Sequence, residues 1–387
     1  MFQNFFDQAI LADELGYGCA WVAETHLSCQ VQKKNPGAVI PHFEGEIGLN
    51  TDILQLAHVL FARTKQIHIG SAIRNIQCNG GPIAHAEAIK TFMTLHDLRP
   101  HESRLLEIGF ASGRFPFSNA PYGIHPRNAM EKTAWPALRG LVFQEATEIF
   151  LRLLKGEVLG SRDVRGKVLR RSNFRSDEDW YAVLKAAGET KNEVRGSGLS
   201  AEIPVAPFWK FDPVGVIPFD APMRNLRLTI GAHDAETQNF ANTILPVGVF
   251  NLSITPSAQI EETHRRMGQV YNTKPWGASD GVWSRHLMPR TVLVFLDENR
   301  TRAKARAEIA IATYWKAVEG TLDPKKVAQA VDNAIVGDPR EVADQISSRF
   351  HASDRLMLWF DFNNHDNEDV KKSMRLFVEK VAPHVEP

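Results

Sequence analysis

Glu24, Thr25 and His26 are the residues of this chain whose types and spacing most directly suggest chemistry. A carboxylate two residues from an imidazole can orient that ring and share its proton, and histidine changes charge near neutral pH. The triplet closes a nearly all-apolar run over residues 19–23, the pattern of a parallel strand covered on both faces. Alternating βα folds place their reactive groups at the C-terminal ends of such strands, which makes His26 and Glu24 the candidate catalytic residues. The competing reading of His26 is a structural histidine with both ring nitrogens satisfied.

The elements that must position this triplet follow one grammar. Ahead of it, Phe2, Phe5, Phe6, Ile10, Leu11 and Leu15 recur at helical spacing, and Gly16 suits a C-cap. After a polar, Pro- and Gly-containing loop, the pattern predicts a helix over 51–64, a strand over 67–73, a helix over 83–98 and a strand over 105–110. A glycine turn containing Ser112 and Gly113 follows. Further strands are expected over 226–231, 247–254, 291–296 and 356–362, with helices over 128–155, 298–318, 338–350 and 368–381. Asp234, Glu236 and Thr237 suit the first turn of a helix, where they act as an N-cap or leave amides free for a phosphate. Residues 160–205 mix charge, Gly and Ser without clear period, and are read either as a lid or as a surface insertion.

Composition narrows the function. Lys plus Arg and Asp plus Glu both number 45, so no global basic field recruits nucleic acid or anionic lipid. Three widely spaced cysteines, Cys19, Cys29 and Cys78, argue against a disulfide framework and for a reducing compartment, with the cytoplasm as the expected location. No apolar run approaches the ~18 residues of a membrane span, and the N-terminus lacks the features of a signal peptide. Cys29, His42, Cys78 and His85 lack zinc-ligand spacing, so no metal is expected. Neither a GxSxG elbow between strand and helix nor a GxGxxG after a strand is present, which leaves serine hydrolysis and Rossmann dinucleotide binding without support.

The ordered set LADELGYGCAWVAETH, LAHVLFARTKQIHIGSAI and HDLRPHESRLLEIGFASGRF, closed by VGDPREVADQI, LMLWFDF and MRLFVEKVAPHV, resembles the bacterial luciferase-like, flavin-dependent monooxygenase and oxidoreductase family. That resemblance implies an α/β fold, a TIM (β/α)8 barrel with insertions, formed by residues 1–387 as a single domain with the excursion at 160–205. The grammar yields seven strands, and the barrel's first strand is expected either ahead of Met1 or replaced by another segment.

The resemblance also implies a site. His26 and Glu24 would face the flavin ring. Ala72 and Ile73 stand where the family has a non-proline cis peptide beneath that ring, a bond costing ~3–4 kcal/mol. Ser112 and Gly113 lie on the turn after the third strand, and Tyr122 belongs to an aromatic-glycine pair with Gly123. Gly231, Ala232, His233 and Thr237 occupy the flavin-phosphate positions. Ala111 stands at the place of the luciferases' reactive cysteine and Ser112 at that of their phosphate-binding arginine, which speaks against light emission. The implied activity is monooxygenation of a small organic substrate by reduced FMN and O2, with the flavin supplied by a separate NAD(P)H:flavin reductase and the chain acting as a homodimer. Two alternatives stay open: an F420-dependent oxidoreductase on the same barrel, and a non-catalytic flavin-binding barrel.

Overall fold

Short apolar runs separated by amphipathic helices are satisfied when the strands lie parallel and the helices return outside them. The computed structural model, which describes residues 2–27, 50–113, 116–232, 234–318 and 324–385, has this arrangement. Its strands in chain order are β1 (Cys19–Val22), β2 (His68–Asn75), β3 (Leu106–Ala111), β4 (Lys167–Arg170), β5 (Glu202–Val205), β6 (Leu226–Ile230), β7 (Gly248–Val249), β8 (Arg290–Leu296), β9 (Ile335–Gly337) and β10 (Leu356–Trp359). A five-stranded sheet runs β1-β2-β3-β6-β7 and a three-stranded sheet runs β10-β8-β9, both parallel throughout. A parallel bridge between Asn251 and Arg290 joins the two. All seven expected strands are present. The run expected over 247–254 pairs only at Gly248 and Val249, because beyond Asn251 the chain turns and the Thr255 hydroxyl accepts from the Leu252 amide.

Among the described residues the strands do not close into a hydrogen-bonded ring, and β1 and β10 flank the opening. Side chains span it instead. The Tyr17 hydroxyl donates to the Met374 carbonyl at 3.0 Å, and its ring packs against Phe360 and Phe377. Inside the sheet's curve, Arg355 donates to both oxygens of the fully buried Glu107, at 2.6 and 2.5 Å, and its guanidinium lies 5.5 Å from the Trp21 ring. Arg227 stands 3.5 Å from the same carboxylate. Burial works to raise the Glu107 carboxyl, but these two guanidinium groups hold it below the usual range.

Helices α1 (Phe2–Glu14), α2 (Ile53–Arg63) and α3 (Gly81–Asp97) cover the first strands. At the end of α1, the Asp13 carboxylate accepts from the amides of Lys65, Gln66 and Ile67 and so staples that helix to the start of β2. The long α4 (Ala129–Leu154) serves two cores. Its C-terminal half buries Ala146, Ile149, Phe150 and Leu153 against the main sheet. Its N-terminal half buries Met130, Ala134 and Leu138 against Trp180, Val183 and Ile203. The excursion at 160–205 is therefore regular structure: the antiparallel pair β4-β5 and helix α5 (Asp177–Glu189), closed over their own apolar cluster. Short elements with few core positions hid that order from a periodicity argument.

Glu107→Gln should leave two buried guanidinium groups without their carboxylate and cost about 3–5 kcal/mol, read as a lowered denaturation midpoint. Because the Glu107 carboxyl is held down in the folded chain, its contribution is complete above about pH 4.3 and lost as pH falls. The difference between wild type and variant should therefore shrink in acid.

Candidate active site

Because the strands are parallel, the ends of β1, β2, β3 and β6 lie on one side of the sheet, and the predicted residues gather there in two groups. The first is centred on Glu24. Just past β1, Asn50 donates to the Ala23 carbonyl at 3.0 Å while its own carbonyl accepts from the Thr25 amide at 2.9 Å, holding the triplet in place. The Glu24 side chain is fully buried. One of its oxygens stands 3.2 Å from His26 Nε2; the other accepts from the Ile53 amide at 3.0 Å and from Arg74 Nη1 at 3.1 Å. Asp52 caps α2 through the Leu54 amide and also accepts from Arg74 Nη1, at 3.1 Å. Arg74 Nε donates to His85 Nδ1 at 2.8 Å, and His85 Nε2 donates to the Cys78 carbonyl at 2.9 Å.

This hub fixes charge states. Burial, and then the Arg74 charge, push His85 down to about 3, so its imidazole is neutral. Burial works to raise Asp52, yet Arg74 holds that carboxyl below its ordinary value. His85 has both ring nitrogens engaged inside the protein, and among the described residues no group of His, Cys, Asp and Glu side chains converges to hold a metal. Cys29 and His42 lie outside the described residues. The Cys78 thiol is pushed up to about 12 by burial, so it is not a nucleophile near neutral pH.

His26 is 8 % exposed, and the amide nitrogen of Asn79 lies 2.8 Å from its Nδ1. Asn79 opens a turn in which it, Gly80 and Gly81 all have left-handed backbone, with φ of 52°, 90° and 73°. A Cβ built on Gly81 would lie 2.6 Å from the Trp209 indole nitrogen, so that ring rests directly on the turn. Trp209 belongs to a strap anchored to α4: the amides of Phe208 and Trp209 donate to Glu145, while Arg127 donates to the carbonyls of Ala206 and Pro207. Leu27, directly after His26, is also left-handed, at φ 62°. Strain on both sides of one imidazole is typical of a functional site.

The second group lies at the ends of β2, β3 and β6. A Cβ on Gly231 would meet Ile73 at 2.6 Å and Ala111 at 3.2 Å, so these three residues touch and form a small apolar floor. The peptide between Ala72 and Ile73 is trans, in place of the cis bond expected there; the distortion takes the form of a β-bulge, since β2 advances three residues from Ser71 to Arg74 while β3 advances two. Gly113, at φ 73°, packs on Asn75, and Asn119 joins Asn75 to the Ser112 carbonyl. Tyr122 is exposed beside this turn. Next to Gly231, the Ala232 carbonyl accepts from Gln238. The Thr237 amide donates to Asp234, which caps the helix Ala235–Asn242, and the Thr237 hydroxyl accepts from Gln144. His233 lies outside the described residues. Sequence reasoning passed over Arg74, Asp52 and Asn79; the available signal was a lone arginine ending an apolar strand.

No protein-family model matches the chain, and no curated protein matches it by sequence. Solved structures do. Monooxygenase RslO1 from Streptomyces bottropensis superposes with a TM-score of 0.62 at 20% identity, covering 99% of this chain and 93% of that one. The oxygenating constituent of 3,6-diketocamphane monooxygenase from Pseudomonas putida, solved with FMN, gives 0.53 at 14%, covering 99% and 92%. The chain has a luciferase-like fold. An F420-dependent secondary alcohol dehydrogenase, solved with an F420-acetone adduct, gives 0.51 at 15%, covering 99% and 94%. Within this luciferase-like fold, Glu24 and His26 stand at the C-terminal end of the parallel sheet, next to the Ile73, Ala111 and Gly231 floor.

Gly81→Ala should displace the Trp209 indole and strain a left-handed residue, costing roughly 1–3 kcal/mol. Tryptophan fluorescence of the folded variant should change in intensity or wavelength; an unchanged spectrum and midpoint would show that the strap does not rest on this turn.

Proposed function

We propose that this chain is a flavin-dependent monooxygenase that uses reduced FMN and O2 on a small, partly apolar organic substrate. The observation that carries this reading is the His26 imidazole beside an immobilised carboxylate at the mouth of a luciferase-like parallel sheet. The likeness to RslO1 and to an FMN-bound oxygenating constituent supports the same class. This reading sets the flat ring system against the close-packed Ile73, Ala111 and Gly231 at the ends of β2, β3 and β6. The anionic tail is assigned to the Ser112–Gly113 turn together with the segment Gly231, Ala232, His233 and Thr237, where Asp234 takes the Thr237 amide.

When bound, the flavin supplies electrons and activates oxygen. The chain's own work is to orient and to move protons. Glu24, fixed by Ile53 and Arg74, keeps the His26 ring in one plane and stabilises a proton on it. The folded unit over 160–205 and the strap at 206–211 serve as a lid that keeps water from the reacting groups. Residues 1–387 act as one functional unit, reduced flavin comes from a separate reductase, and the chain works as a homodimer in the cytoplasm. Among the described residues no helix is long and apolar enough to cross a membrane. An F420-dependent oxidoreductase is the second reading, favoured by the likeness to the F420 dehydrogenase. That chemistry consumes no oxygen.

Anaerobic titration with reduced FMN, oxidised FMN and F420, followed by oxygen-uptake assays over small ketones, alkanes and aromatics, tests the proposal. Reduced FMN should bind best and support substrate-dependent oxygen uptake, which His26→Ala should lower about 100- to 10,000-fold without loss of the fold. Preference for F420 with no oxygen uptake would establish the second reading; binding of none would overturn both.

A further inference from the structure

The inner side of the three-stranded sheet carries a cavity that neither Glu24 nor His26 lines. In β8, Val292, Val294 and Leu296 belong to the main core, so the alternating Leu293 and Phe295 face the other way. There they pack with Ala307, Ala310 and Ile311 of the helix Arg300–Val318 and with Phe362, just past β10. The cover is incomplete. Between Leu293, Ile254, Ile311 and Phe362 lies a cavity of about 40 Å³, which widens to about 410 Å³ of empty space when its open side is counted. Val331 and Trp359, 40 % and 41 % exposed, mark that open side.

The cavity lies at the end of the molecule that carries His26. The two sheets run parallel to each other through the Asn251–Arg290 bridge, and the lining comes from the turn after β7 and the end of β10. Phe250, just before that turn, meets the Trp21 ring of β1 edge-on at 5.7 Å, so the two sheets touch across their curve.

Its lining selects a ligand. None of the lining side chains is charged, so an ion entering would lose hydration without gaining a partner. The Trp359 indole N–H is engaged by Asp361. The other polar side chains are Ser253 and Tyr314. The Ser253 carbonyl accepts from Asn333 at 2.6 Å, and the Tyr314 ring packs edge-on against Phe362 at 5.1 Å, so both residues are held in place. Among the described residues neither hydroxyl has a hydrogen-bond partner. Hydroxyl donors set in an apolar wall suit one acceptor oxygen on an otherwise apolar molecule. At ~10–15 Å³ for each water-sized group, the enclosed part holds about three such groups.

We propose that this cavity is a binding site for a small uncharged ketone, with its short alkyl part against Leu293, Ile311 and Phe362 and its carbonyl oxygen accepting from Ser253 and Tyr314. Calling that ketone the substrate rests on the catalytic reading above; its binding requires neither FMN nor F420.

The test uses full-length protein labelled with 5-fluorotryptophan, with the Trp359 signal assigned through Trp359→Phe. It is titrated without cofactor with cyclopentanone, cyclopentane, cyclopentanecarboxylate and cyclopentylamine. Cyclopentanone should shift the Trp359 fluorine signal saturably and bind at least about 10-fold more tightly than either charged analogue. Ser253→Ala and Tyr314→Phe should each weaken cyclopentanone about 2- to 10-fold and leave cyclopentane unchanged. Val331→Trp, at the open side, should abolish the shift while circular dichroism stays that of the wild type. A Trp359 signal that does not move, a charged analogue that binds as well as the ketone, or full ketone affinity in both hydroxyl variants would overturn the proposal. The two hydroxyl variants remove one oxygen each, so they decide the matter even if Val331→Trp does not fold. Ketone binding without turnover on either cofactor would count against the catalytic reading and leave the ketone site standing.

Discussion

The candidate site depends on one guanidinium. Arg74 is nearly buried at the end of β2, and an unpaired cation there would cost several kcal/mol. Its partners come from three other places in the chain: Glu24 after β1, Asp52 at the cap of α2, and His85 on α3. Two are carboxylates; the third must be neutral, and burial together with Arg74 itself makes it so. Satisfying Arg74 thus sets the mutual placement of β1, α2, β2 and α3. Loss of Glu24 or Asp52 weakens the compensation of that charge, and loss of His85 leaves the Arg74 Nε–H without its acceptor.

The bulge in β2 is what delivers Arg74 to this position. An extra residue between Ser71 and Arg74 shifts the alternation of the strand, and the backbone there comes so close to β3 that a Cβ on Gly109 would lie 2.3 Å from the Ser71 carbonyl oxygen. One stride earlier, Gly70 lies beneath the Trp21 ring. Glycine at both places follows from close approach. The same distortion exposes Ile73 toward Gly231 and Ala111, so the apolar floor and the ionic hub have one cause.

Much of this was legible in the sequence. Seven short apolar runs announced seven parallel strands, and the helices expected from period and capping lie within a few residues of their places, whereas the helices Ser257–Val270 and Pro324–Asn333 and the short β9 were not anticipated. His26 and Glu24 were legible for the same reason: two polar residues ending an apolar run stand out. Arg74 and Asp52 were not, since their meaning comes from partners between 11 and 50 residues away. The β4-β5 pair and α5 were missed because that unit draws a third of its buried core residues from α4, which no local pattern in 160–205 reveals. The bond between Ala72 and Ile73 keeps the trans form that any non-proline peptide favours, and it is the β-bulge, a feature of strand pairing, that has no sequence signature of its own.

Two buried charge clusters occupy the inner side of the sheet, and they differ in what they leave free. Around Glu107, both carboxylate oxygens are taken by Arg355 with Arg227 close by, and the carboxyl is held below its usual range. That cluster ties β3 and β6 to the approach to β10, with both oxygens of its carboxylate committed to one guanidinium. Around Glu24 the carboxylate is equally buried, yet one of its partners is an imidazole, whose ring also lies against the neutral amide of Asn79 on a half-buried turn. The desolvation cost of burying Glu24 is offset by Arg74 and by the Ile53 amide, so one end of this cluster is fixed by ionic and backbone partners while the His26 ring stands at its other end.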